Sequence, residues 1–137
     1  MKSYMKMAGL NKILSKDYIQ PENSQATKDR ILQEARLCAK SRNISRLEEL
    51  YLTSFNVIQY NPHIHYYLAL TYTQMDKHEQ AIEYYPIARC FGAIDAELYI
   101  NWCISLWHLK KYHKVEQVAY QGLDTLHETN MEMYEFL

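Results

Sequence analysis

The sequence predicts an all-α chain of about three helical hairpins stacked in line, repeating at 34 residues. Three observations carry that expectation. The first is a size pattern that recurs between His65 and Leu126. With Ala81 set against Val115, Leu68 falls on Trp102, Ala69 on Cys103, Tyr72 on Leu106, Tyr85 on Ala119 and Ala88 on Gly122. Identity between the two copies is low, but the sizes largely agree: large, small, large along one helix, then small, large, small along the next. Small residues are needed where antiparallel helices approach closely, and large ones fill the gaps around them. The second observation is composition. Three glycines and three prolines in 137 residues suit long helices rather than a loop-rich β fold. The third is period: from Thr27 onward Ile31, Ala35 and Cys38 share one helical face, with Leu32 and Ala39 beside them.

Taken in order, residues 1–25 read as an N-terminal arm and linker, and residues 26–137 as the repeat domain. The arm is basic and weakly amphipathic through Met5, Leu10, Ile13, Leu14 and Tyr18. It is expected to act as a dimerisation or partner-binding element or to be a frayed terminus, and both readings stand. PENSQ, Pro21 to Gln25, marks the linker. A helix from Thr27 is broken by SRNIS, and Ser45 with Glu48 forms a capping box that starts the next one. That second helix carries Leu47, Leu50, Tyr51, Ser54, Val57 and Ile58 as far as Asn61-Pro62, where proline cannot continue it. The register of this first hairpin is ambiguous, because anchoring it on Pro62 or on Tyr51 gives answers three residues apart.

An apolar and aromatic helix follows over about 63–75. Asp76 with Glu79 is an N-cap signal for its partner over about 77–91. Pro86 lies inside that partner, where it removes a backbone hydrogen bond and is expected to kink or end the helix. A third pair spans about 96–109 and 112–126, joined across Lys110-Lys111. From His127 the chain turns acidic and is expected to form a C-terminal capping segment over the last apolar edge.

Bulk properties exclude several classes. A net charge of −1, with 15 basic and 16 acidic residues and no basic block, disfavours nucleic-acid binding by phosphate neutralisation. No run of 18 apolar residues spans a membrane, and lysines interrupt the N-terminus too often for a signal-peptide core, which points to the cytoplasm. Cys38, Cys90 and Cys103 lie in helical patterning and read as small thiols rather than a disulfide frame. Thirteen tyrosines fit a half-wet concave surface, or simply a tyrosine-rich composition.

No catalytic constellation is legible. His63 and His65 point to different helix faces, His108 and His113 straddle a turn, and no CxxC or glycine-rich loop occurs. Neither metal nor cofactor is expected, and the chain reads as a non-enzyme. What remains is a surface. Stacked hairpins curve, and the first helix of each pair lines the inner face. The groove-facing positions are then His63, Tyr66, Tyr67, Leu70, Thr73 and Gln74, followed by Ile100, Asn101, Ile104, Trp107 and His108. Glu97 falls in the same row. The competing reading is that these residues are plain core.

The spacing and size classes over His65–Leu126 make the repeat tetratricopeptide-like. The stretch from about Leu47 to Val118 further resembles the class II (translocator) chaperones of bacterial type III secretion. The likeness rests on the size of the chain, on three hairpins after an arm, and on YYLAL (Tyr66 to Leu70) and AIEYY (Ala81 to Tyr85). The Lys110-Lys111 turn without glycine, Pro86 and the short tail depart from the family pattern. The resemblance implies a cytoplasmic chaperone that keeps a hydrophobic translocator soluble before export by binding a short extended segment in its groove. A needle-subunit chaperone, a scaffold or regulatory adaptor outside secretion, and a small enzyme are the alternatives.

Overall fold

The structure, a computed structural model, describes residues 24–134. The arm over 1–20 and most of PENSQ lie outside these residues. Among the described residues every regular element is helical: α1 Gln25–Lys40, α2 Ile44–Thr53, α3 Phe55–Ile58, α4 Pro62–Gln74, α5 His78–Cys90, α6 Ala96–His108 and α7 Tyr112–Tyr134. None of them is long and apolar enough to cross a membrane.

The hairpins repeat with a constant step. The second helix of each pair begins at residue 44, 78 and 112, so each start falls 34 residues after the last. The turns before them share one construction. Arg42, Asp76 and Lys110, again 34 apart, all take positive φ, at 56°, 60° and 60°. In each turn the next amide reaches back five residues: Asn43 to the Cys38 carbonyl at 2.9 Å, Lys77 to Tyr72 at 2.8 Å and Lys111 to Leu106 at 2.9 Å. This Schellman pattern satisfies carbonyls that a helix end leaves orphaned. Left-handed backbone usually selects glycine, and among the described residues a Gly occupies positive φ only at Gly92, between α5 and α6.

The repeated turn settles the first hairpin in favour of the Tyr51 register, with Tyr51 equivalent to Tyr85 and Leu47 to Ala81. It also corrects two capping expectations. Asp76 cannot cap α5, because it is the left-handed turn residue; Lys77 takes the N-cap position with no side-chain bond. Likewise α2 starts one residue before Ser45, capped by the Asn43 side chain, which accepts from the Arg46 amide at 3.2 Å. At the front, Ser24 accepts from the Thr27 amide, so α1 begins inside the stretch read as linker.

Two further expectations change. The helix expected to run to Asn61 breaks at Ser54, one residue after Thr53, whose hydroxyl donates to the Glu49 carbonyl at 2.9 Å. Asn61 then caps α4 through the His63 amide at 2.8 Å, with Pro62 in the first helical turn where no donor is needed. At the other end α7 runs 23 residues without interruption, so the segment expected as a separate cap continues the helix. No glycine or proline follows Gly122 to stop it.

The core is one continuous cluster. It runs from Ile31 and Ala35 through Leu47, Ile58, Ile64 and Leu68 to Tyr85, Leu98 and Leu106. Each helix packs on its neighbours along the stack: α1 on α2 and α4, α2 on α4, α4 on α5 and α6, α5 on α6, α6 on α7. Polar side chains are also buried. Tyr85 OH, Thr73 Oγ1, Ser105 Oγ and His78 Nδ1 form a chain of contacts at 2.7, 2.8 and 2.9 Å that ties α4, α5 and α6 together. The buried hydroxyl of Tyr85 has its pKa pushed up, chiefly by desolvation, so it stays a neutral donor.

Pro86 neither ends nor interrupts α5, which continues through it to Cys90. Pro86 is exposed, and the carbonyl of Ile82, which is half-buried, has lost its helical donor. A proline inside a helix costs about 3 kcal/mol relative to alanine. Pro86→Ala is therefore expected to raise the denaturation midpoint by an amount corresponding to about 1–3 kcal/mol. An unchanged or lowered midpoint in urea would show that the proline is accommodated without strain.

His65 is 2% exposed, and its Nε2 lies 2.8 Å from the Gln59 carbonyl. A carbonyl accepts, so Nε2 carries the proton and the buried Nδ1 is left without a partner. Desolvation lowers the His65 pKa, and the Gln59 bond opposes that only in part. The unfolded chain thus takes up a proton that the folded one refuses. This contribution to stability is full above the unfolded value near 6.5 and is lost as pH falls below it toward the folded value. Thermal melts between pH 7.5 and 5 should show a decline that is shallower in His65→Gln, which keeps the donor to Gln59.

Candidate functional site

An apolar hollow of about 660 Å³ lies between α6 and α7. Ile100, Ile104 and Trp107 form one wall, 58%, 41% and 60% exposed. They recur at i, i+4 and i+7, one stripe of α6. The opposite side of α6 carries Leu98, Ser105 and Leu106, all buried in the core. The other wall comes from α7: Val115, Ala119, Leu123 and Leu126, with Leu123 61% exposed. Tyr99 and Cys103 make the floor, and Trp107 is steadied edge-on against Tyr112 at 4.8 Å between ring centres.

A close contact between α6 and α7 lies at the base of the hollow. Gly122 lies against Tyr99, and a Cβ there would stand 2.9 Å from the Tyr99 ring. Tyr99 is held in turn by Arg89, whose Nε donates to its hydroxyl at 3.1 Å. Ala119 adds no bulk above this contact, so space opens between the walls.

Electrostatically the site is bland. No Lys, Arg, Asp or Glu is among its lining residues, and His108 is the one histidine, its ring stacked on His78 at 4.4 Å. The Cys103 thiol has its pKa raised by burial, which moves it away from the reactive thiolate. Its Sγ instead contacts the Val115 carbonyl at 3.8 Å. Among the described residues no group of three His, Cys, Asp or Glu is placed to hold a metal ion.

The residues expected to share one groove separate into two groups. Ile100, Ile104, Trp107 and His108 line the hollow, and Asn101 stands half-buried beside them. The α4 members do not reach it. Tyr66 is buried beneath α6, its hydroxyl donating to the Glu97 carboxylate and accepting from Asn101 Nδ2 at 3.3 Å. Burial and the Glu97 carboxylate push the Tyr66 pKa upward. Thr73 is buried in the Tyr85–Ser105 chain. Both were expected in an open groove and are instead covered, because α6 packs directly onto that face of α4. Tyr67 and Leu70 are half-buried against the core, while His63 and Gln74 are exposed, with His63 stacked on Tyr67 at 6.4 Å.

The α7 wall was not anticipated. Its signal was present in the aligned repeats: Ala119 stands where the preceding hairpin has Tyr85, a large-to-small change that leaves a void. Gly122→Ala tests the geometry. In an ordinary helix this substitution gains about 1 kcal/mol. Here the added methyl meets Tyr99, and a net loss of about 1–3 kcal/mol is expected in chemical denaturation. A gain would show that α7 is free to move off Tyr99.

No family model, no curated protein and no solved structure matches the chain.

Proposed function

We propose that this chain is a non-catalytic binding protein of tetratricopeptide-like construction, a chaperone that holds an apolar segment of another protein. The observation that carries the reading is the exposed row Ile100, Ile104 and Trp107 facing the α7 wall across a hollow without a fixed charge. Contiguous apolar surface of this kind marks interaction sites, and concave apolar sites anchor side chains of a bound segment. The sequence resemblance to the translocator chaperones of type III secretion names the client class: a hydrophobic secreted translocator, held in the cytoplasm before export. A homodimer through the N-terminal arm is a separate expectation that this reading does not require.

The test separates binding from packing. Trp107 is 60% exposed, so Trp107→Ala is expected to leave stability within about 0.5 kcal/mol of the parent. Client retention should fall by about 2 kcal/mol, roughly thirtyfold, as it does at interface hot spots. Leu70 is half-buried against the core, and Leu70→Ala should cost about 2–4 kcal/mol of stability. Melting and co-purification of a co-expressed translocator measure both. A folded Trp107→Ala protein that keeps its client in full would overturn the proposal.

A further inference from the structure

The hollow between α6 and α7 is the third copy of an interface that the molecule has already used twice. In the middle hairpin, Tyr66, Ala69, Thr73, Ala81, Tyr85 and Ala88 form one face, every one of them buried. What covers them is α6. Glu97 accepts from Tyr66, Ser105 lies 2.8 Å from Thr73, and Trp102 stacks on Tyr85 with ring centres 6.3 Å apart. One step earlier, α4 packs on both helices of the first hairpin, where Ala35 and Leu47 are buried, and its His65 meets Tyr51, the equivalent of Tyr85, edge-on at 5.5 Å. One step later, 34 residues on, the equivalents of the middle face are Ile100, Cys103, Trp107, Val115, Ala119 and Gly122. All six line the hollow.

We infer that the α6/α7 face is a seat for an amphipathic α-helix of a partner protein, taken up as α4 and α6 are by the hairpins before them. The inference rests on the binding function proposed above and names the form of the bound segment: helical, not extended.

The two occupied seats define what fits. The helices in them are each 13 residues long. Ile64 and Leu98 are equivalent, as are Leu68 and Trp102, and Tyr72 and Leu106, giving large apolar residues at i, i+4 and i+8. The open seat is more permissive in the middle and less polar at its edges. Ala119 replaces Tyr85 beneath the i+4 position, making room for a ring. Ile100 and Trp107 replace Tyr66 and Thr73, removing the hydroxyls that bond α6 in the middle seat. An occupant with a wholly apolar seam and a large aromatic at its centre therefore matches this face better than a copy of α6 would. That is helix-in-groove recognition with a central anchor.

The probe is a 13-residue capped peptide of Ala, Glu and Lys with Leu, Trp and Leu at i, i+4 and i+8. Its control has the same composition with the three apolar residues spread around the helix. Titration of the full chain by calorimetry should show saturable binding of the probe alone. Leu123→Glu, at an exposed position on the far wall, should weaken the probe by roughly tenfold or more. Ala119→Tyr should do the same to the Trp probe, while tolerating a probe with Ala at i+4. Equal binding of probe and control, or indifference to both substitutions, overturns the seat. Loss of translocator in Trp107→Ala but full retention in Leu123→Glu would overturn the helical seat and leave the binding function standing. A chain that self-associates on dilution-sensitive sedimentation, and loses this in Leu123→Glu, would assign the seat to a second copy and overturn the partner.

Discussion

A helical hairpin of this kind has two apolar faces and covers only one of them by its own pairing. That constraint shapes the rest of the molecule. Each hairpin leaves a face that the first helix of the next one must cover: α4 on the first pair, α6 on the second. The cover is close only where side chains are small, so alanine lies beneath it at Ala35, Ala69, Ala81 and Ala88, all fully buried. At the last hairpin the same face has no next helix among the described residues, and its apolar row stays in solvent. The candidate site is thus a consequence of repetition rather than an addition to it.

Burying hydroxyls between these layers is a costly choice unless every partner is supplied. The Tyr85–Thr73–Ser105–His78 chain supplies them across three helices. A shift of α6 along α4 by one residue would break the Thr73–Ser105 contact and strand buried donors, each at about 1–3 kcal/mol. Leucines in those places would pack in several registers; the hydroxyls accept one. Tyr66 with Glu97 and Tyr72 with Glu48 add links of the same kind between helices, and in both the phenol pKa is raised mainly by burial. Polar bonds therefore fix the step of the stack while apolar area holds it together.

Much of the architecture was legible in the residues. Helical period located every long helix, and the Ala81–Val115 alignment found the 34-residue step. Local chemistry misled where two readings share one residue type. Asp76 and Ser45 carry cap signals, yet the Schellman turn takes the first and Asn43 outcompetes the second. Pro86 signalled a break, but its ring reaches solvent and the helix tolerates the missing bond. In the candidate site, the spacing of Ile100, Ile104 and Trp107 makes them one stripe of α6, and the structure sets them along one wall of the hollow. Tyr66 and Thr73 were placed in that row as well, because a buried and an open position on the same helical face look alike in sequence.

What the sequence determined by itself was everything set by spacing along one helix or between equivalent helices: the all-α class, the hairpins and their repeat. Periodicity names a face but not what lies against it. Only the tertiary structure decided that α6 covers Tyr66 and Thr73 while nothing described covers Ile100 and Trp107. That decision depends on contacts between residues more than 30 positions apart, such as Tyr66 with Glu97 and Thr73 with Ser105. Burial belongs to the partner as much as to the residue, and the partner is fixed by the fold.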